Sequence, residues 1–141
     1  MRFDVISLFP EMVKSMKDSI IGKAIEKEII TLHCHNPRDY SSYPHKQVDD
    51  KPYGGGPGMV LQYQPIVETL NTIKKQTAHF IKKRLIVYLS PTGKHFQQSH
   101  IEHFTLYDQI IFIAGRYEGI DQRIIDYHVD EIWSVGPYTL S

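Results

Sequence analysis

Ile110-Ile111-Phe112-Ile113-Ala114-Gly115-Arg116-Tyr117-Glu118-Gly119-Ile120-Asp121-Gln122-Arg123 decides the fold, because an apolar run empties directly into a charged turn bracketed by glycines. Ile110 to Ala114 suits a strand covered on both faces of a parallel sheet, whereas Arg116, Tyr117 and Glu118 need water, a ligand or a partner chain. An α/β sheet carries its ligand site at the carboxyl ends of its strands, which marks the turn after Ala114 as a binding candidate. Gly115 and Gly119 frame that turn and let a small molecule approach the backbone.

Outward from this stretch, the same alternation of strand and helix recurs. Arg2 to Leu8 alternates and reads as a strand, and Pro10 suits the first turn of a short helix carrying Met12, Val13 and Met16 inward. A second helix is expected from near Ser19 on the stripe Ile20, Ile21, Ala24 and Ile25, before a strand from Ile29 to Cys34. Asn36 to Gln64 holds Pro37, Pro44, Pro52, Pro57 and a glycine cluster, too long and irregular for a plain connection and therefore expected to be a functional loop. Pro65 opens a helix with Ile66, Val67, Leu70 and Ile73 inward. Leu85 to Leu89 reads as a strand ended by Ser90-Pro91-Thr92-Gly93, and Lys94 to Phe104 places Phe96, His100, Ile101 and Phe104 near helical spacing. The strand Gln109 to Ala114, a short helix containing Ile124 and Ile125, and a last strand from Val129 to Val135 complete the series. The expectation is an α/β fold, a mostly parallel sheet with flanking helices.

Composition agrees with one compact domain: 141 residues, 41% hydrophobic and 23% charged. No apolar run approaches the ~20 residues that cross a bilayer, so a cytoplasmic protein without a membrane partner is expected. Cys34 is the single cysteine, which fits a reducing compartment. His33 and His35 share one strand face while Cys34 points to the other, and no metal site is expected there. Formal net charge is zero, yet it is unevenly spread. Thr69 to Ile101 holds Lys74, Lys75, Lys82, Lys83, Arg84 and Lys94 without one acid, either a solvated face or a phosphate-contacting patch.

The loops narrow the chemistry. Of nine glycines, Gly54, Gly55, Gly56 and Gly58 cluster in one loop and Gly93, Gly115, Gly119 and Gly136 mark others. Asp49-Asp50-Lys51-Pro52-Tyr53-Gly54-Gly55-Gly56-Pro57-Gly58-Met59 is stiffened by its prolines and lacks the Gly-Lys-Ser/Thr of a nucleotide phosphate loop. Gly115 to Gly119 fails the G-x-G-x-x-G pattern, which argues against a nicotinamide cofactor.

Taken together, five blocks resemble bacterial tRNA (guanine-N1)-methyltransferase, a family of the SPOUT class. They are Phe3-Asp4-Val5-Ile6-Ser7-Leu8-Phe9-Pro10, the Asp49 to Met59 loop, Leu89-Ser90-Pro91, Gly115 to Asp121, and Ser134-Val135-Gly136, in that order along the whole chain. The resemblance implies a deep trefoil knot, one of the rare exceptions to unthreaded connections, with S-adenosylmethionine bound inside it. By matching positions, Tyr88, Leu89, Ser90 and Pro91 form one wall of the donor pocket. Gly115, Tyr117, Glu118 and Gly119 form a second, and Ser134, Val135, Gly136, Tyr138 and Leu140 a third. Such turns orient a largely apolar pocket through a few backbone groups.

The implied substrate is the tRNA guanosine just 3′ of the anticodon, methylated at N1. That nitrogen bears a proton at neutral pH, so the reaction needs a general base, an in-line donor and a base taken out of its stack. Asp50, Tyr53, Gly54, Gly55, Gly56, Gly58 and Met59 resemble the family's guanosine-contacting loop, and Arg116 suits a phosphate or base contact. Arg116 and Glu118 are the supporting catalytic candidates, Glu118 by favouring the sulfonium cation. The family builds each site from two protomers, so a homodimer is expected. Pro137 stands where the family usually has an acid, and it removes a backbone donor. The sequence ends at Ser141 inside its last matching block, whereas the family continues into a helical carboxyl-terminal domain that carries the general base. An amino-terminal fragment with little turnover of its own is therefore expected. Another SPOUT enzyme acting on ribosomal RNA, and a non-catalytic RNA- or nucleotide-binding module, are the competing readings.

Overall fold

The computed structural model describes residues 1–9, 11, 27, 29–52, 54–115 and 119–134. The two amino-terminal helices expected between Pro10 and Glu28 lie outside them. Strands β1 (Arg2–Ile6), β2 (Thr31–His35), β5 (Arg84–His95), β6 (Gln109–Ala114) and β7 (Glu131–Ser134) form one sheet in the order β2-β1-β6-β5-β7, every neighbouring pair parallel. A two-stranded antiparallel ladder, β3 (Asp49–Asp50) with β4 (Val60–Leu61), closes the base of the glycine-rich loop. The described α-helices are α1 (Tyr63–Thr77), α2 (Ile101–Phe104) and α3 (Gln122–His128), beside short 3-10 turns.

Both faces of the sheet are covered, which explains why every residue of β6 is buried. On one face Ile6, Ile86, Tyr88, Ile111 and Ile113 pack with Ile66, Leu70 and Ile73 of α1 and Ile124 of α3. Each such side chain, removed from water, contributes roughly 1.5–3 kcal/mol. The other face gathers Phe3, Val5, Leu85, Val87, Leu89, Ile110 and Phe112 with Phe104 and Trp133.

The helix expected from Pro65 is observed with Ile66, Val67, Leu70 and Ile73 buried, though it begins at Tyr63, and β6 has the expected bounds. Other boundaries move. β2 begins at Thr31, leaving Ile29 exposed, and β7 begins at Glu131 because Val129 caps α3 by bonding the Ile124 carbonyl. The stretch Asn36 to Gln64 is not a single loop: it carries 3-10 turns at Pro37–Tyr40 and Pro44–Lys46 besides the short ladder. Only Ile101 to Phe104 of the segment after Lys94 is α-helical, since Lys94 and His95 still belong to β5.

That last point corrects the expectation that Ser90-Pro91-Thr92-Gly93 ends the strand. β5 runs to His95, and its register against β7 slips between Leu89 and Lys94, so that both pair with Trp133. Pro91 has no N–H to give the ladder, and Gly93 lies so close to the Trp133 backbone that a Cβ there would meet it at 2.7 Å. The four residues form an outward bulge at the carboxyl end of the sheet.

Candidate active site

Three parallel neighbours bring their carboxyl ends together. Leu89 pairs with Ala114 and with Trp133, so the bulge that begins at Ser90, the segment after Ala114 and the end of β7 at Ser134 lie side by side. Phe96 N–H donates to the Ser134 carbonyl at 2.8 Å, tying the far side of the bulge to β7. Ser90 and Ser134 are buried polar residues, and Ser90 Oγ lies 2.9 Å from Thr92 Oγ1.

Tyr88 joins two of the turns. A Cβ added to Gly115 would lie 2.9 Å from its Cε1 and hydroxyl, and one added to Gly119 would lie 3.6 Å from the hydroxyl. A side chain at Gly115 would have to push the end of the Tyr88 ring aside, and Gly119 is favoured by its φ of +137°. Burial raises the Tyr88 pKa, partly offset by a hydrogen bond with Ser90, so the phenol stays protonated at neutral pH. Leu89 belongs to the opposite face, its side chain packed in the core, so only its backbone can serve a ligand at this end.

The glycine-rich loop meets the same place. Leu61 N–H donates to the Gly119 carbonyl at 3.1 Å, and Asp121 N–H donates to the Leu61 carbonyl at 2.9 Å. Gly54, Gly55, Gly56 and Gly58 all have φ between +84° and +116°, a backbone path that L side chains rarely follow. Asp50 is exposed and paired in β3, its Oδ1 accepting from Lys51 N–H at 2.7 Å. Met59 is half-buried. Among the described residues Gln62 Oε1 is buried with no hydrogen-bond partner, a cost of about 1–3 kcal/mol that a ligand N–H would remove.

Tyr88, Ser90, Gly115 and Gly119 thus lie at one end of the sheet, and the foot of the glycine-rich loop is bonded to Gly119 through Leu61, while Gly54, Gly55 and Gly56 stand in open space. Tyr53, Arg116, Tyr117, Glu118, Val135, Gly136, Tyr138 and Leu140 lie outside the described residues. Sequence reasoning missed Arg123. Its guanidinium binds both oxygens of Asp121, Nε to Oδ1 at 3.0 Å and Nη2 to Oδ2 at 2.7 Å, and its Cζ lies over the Tyr63 ring, 4.7 Å from the centroid. The ring partner is far away in sequence, which is why no local pattern announces it.

Histidine and cysteine at β2 carry no ligand set: His35 Nε2 bonds Asp4 Oδ1 at 2.8 Å, and no group of residues suited to a metal is found among the described residues. No described helix is long and apolar enough to cross a membrane.

The chain is similar to known proteins in sequence and in fold. The family model described as tRNA (Guanine-1)-methyltransferase TrmD matches residues 1–141. A tRNA (guanine-N(1)-)-methyltransferase of Legionella pneumophila strain Paris is 46% identical over 138 residues, 97% of this chain and 54% of the relative. Its counterpart in Buchnera aphidicola is 47% identical over 141 residues, 99% of this chain and 58% of the relative. The crystal structure of tRNA (m1G37) methyltransferase from Aquifex aeolicus superposes with a TM-score of 0.78 at 32% identity, covering 100% of this chain and 62% of that one. The chain spans just over half the length of the curated relatives it matches. With a family model matched from its first residue to its last, and a parallel sheet whose glycine turns meet at one end, the chain belongs to the tRNA (guanine-1)-methyltransferase family.

Proposed function

We propose that this chain is the donor-binding part of a tRNA (guanine-N1)-methyltransferase, moving a methyl group from S-adenosylmethionine to N1 of the guanosine 3′ of the anticodon. The observation that carries it is the junction at Tyr88: its hydroxyl lies against Gly115 and Gly119, and the carbonyl of Gly119 holds Leu61 at the foot of the glycine-rich loop. Donor-side and acceptor-side segments thereby meet within one hydrogen bond of each other, as methyl transfer in line requires.

The residues present suit the donor. A cradle at Gly115 that a Cβ would fill, buried hydroxyls at Ser90 and Ser134, and exposed backbone at the bulge offer the few polar groups that orient an adenosine. S-adenosylmethionine supplies, when bound, a methyl group on a sulfonium cation. Tyr88, Leu89, Ser90 and Pro91, with Gly115, Tyr117, Glu118 and Gly119 and with Ser134, Val135, Gly136, Tyr138 and Leu140, would hold it, in a chain threaded as a trefoil knot. Glu118 favours its cation and Arg116 engages the RNA. Asp50 and the loop to Met59 grip the guanosine after it leaves its stack. Proton removal from N1 falls to a residue in the part of the relatives that this chain does not match. The working unit is a homodimer in the cytoplasm.

Calorimetric titration with S-adenosylmethionine, followed by a methyl-transfer assay on tRNA, tests the reading. We expect residues 1–141 to bind the donor and to turn over little by themselves. An absence of donor binding would reject the assignment, and full-rate methylation would reject the division of labour.

A further inference from the structure

Beside the glycine-rich loop lies a cavity of about 420 Å³ lined by Pro52, Val60, Ile120, Asp121, Gln122 and Arg123. That volume falls in the range of roughly 300–1,000 Å³ typical of small-ligand sites. We propose that Arg123 is an RNA-binding residue, which takes a backbone phosphate next to the target guanosine at the mouth of this cavity. The proposal rests on the tRNA reading above and adds to it a contact on the acceptor side.

Three observations carry the inference. First, Arg123 is held in one orientation: Asp121 occupies its Nε and Nη2 edge, and its Cζ lies over the Tyr63 ring, 4.7 Å from the centroid. Tyr63 is itself fixed, its hydroxyl 3.0 Å from His128 Nε2. Burial lowers the pKa of His128, assisted by Lys74, which favours the neutral ring in this pair.

Second, the grip leaves a fork open. The hydrogen bonds among the described residues engage Nε and Nη2, so the Nη1 group and the second Nη2 hydrogen remain for a ligand. A paired edge of this kind matches two phosphate oxygens. The side chain is 59% exposed despite the clamp. An ion pair so exposed adds little to stability, so holding the guanidinium in place is the better account of Asp121 and Tyr63.

Third, the location is apt. Ile120 bridges Leu61 in parallel, and Pro52 and Val60 bring both limbs of the glycine-rich loop to the cavity wall. A nucleotide gripped by that loop has its backbone within reach of Arg123.

The test is binding of a tRNA anticodon stem-loop, followed by fluorescence anisotropy across a salt series, for the wild-type chain, R123Q and R123K. R123Q is expected to bind about tenfold more weakly, with the salt slope reduced by about 0.7–0.9, the loss of one phosphate contact. R123K keeps the charge and is expected to retain the slope while losing affinity, because it cannot present the fork. Donor binding should be unchanged in both. Wild-type affinity and slope in R123Q overturn the proposal and leave the tRNA reading standing, as does a parallel loss of donor binding, which would mark Arg123 as structural. A wild-type chain that binds no RNA overturns both.

Discussion

The two ends of the sheet handle polar groups in opposite ways. At the amino-terminal end Asp4 is fully buried and surrounded: Arg2 Nε and Nη2 donate to it at 3.0 Å, His35 Nε2 lies at 2.8 Å and Gln109 Nε2 donates at 2.7 Å. Gln109 Oε1 in turn accepts from Arg84 Nε at 2.6 Å, and Arg84 Nη2 donates to Thr77 Oγ1 at 3.0 Å, fastening the end of α1 to the sheet. At the carboxyl-terminal end the polar groups are hydroxyls and backbone at turns built on glycine, with Gln62 Oε1 buried and unpaired among the described residues. One end closes a buried network of charges on itself, whereas the other is built from hydroxyls and glycine turns. Charged residues of a family motif therefore need not share a role: Asp4 belongs to the first matching block and serves the fold.

The largest effect should come from the seam between the ends. Gly93→Ala drives a Cβ into the Trp133 backbone, which cannot rotate away as a side chain would, so β7 must part from β5. A loss of about 3 kcal/mol is expected in denaturant unfolding, and donor affinity should fall with it. A wild-type midpoint would show that the slipped register is not held by this contact.

Asp4→Asn should lose almost as much stability and none of the intrinsic donor affinity. It leaves Arg2 and His35 facing an uncharged amide, a change worth about 3 kcal/mol in buried pairs. Burial by itself would raise the Asp4 pKa, but hydrogen bonds from His35, Arg2 and Gln109 outweigh it and hold the pKa at about 2. The folded value lies below the unfolded one, so the contribution is complete above the ordinary value of 3.8 and is lost as pH falls through about 2. Unfolding free energy measured against pH should drop by about 2 kcal/mol across that window, and the step should vanish in Asp4→Asn.

Gly115→Ala inverts the pattern. The new methyl presses on the end of the Tyr88 ring, which can shift, so the expected stability loss is only about 1 kcal/mol. Donor affinity should fall about tenfold, read by calorimetry. Equal losses at Asp4 and Gly115 would erase the distinction between the two ends.

How much of this could be read in advance divides along the same line. Runs such as Gln109–Ala114, and the stripe Ile66, Val67, Leu70 and Ile73, gave their elements directly, because burial imposes a period on them. The burial of Asp4 was not legible: alternation along Arg2 to Leu8 turns it away from Phe3 and Val5, and only a sheet covered on both faces makes that second side interior as well. The bulge after Leu89 was misread as a strand end because proline and glycine mark both. Register against β7, a non-local pairing, is what separates them. Arg123 escaped notice because Tyr63, which holds its orientation, comes from a different helix.

Hydrogen exchange of the chain with and without S-adenosylmethionine tests the central contrast most directly. The account predicts slowed exchange at Leu89–Thr92, at Gly115–Gly119 and from Ser134 onward, with amides around Arg2, Thr31 and Gln109 unchanged. Protection centred on the Asp4 end, or none at the bulge after Leu89 and at the segments after Ala114 and Trp133, would contradict it.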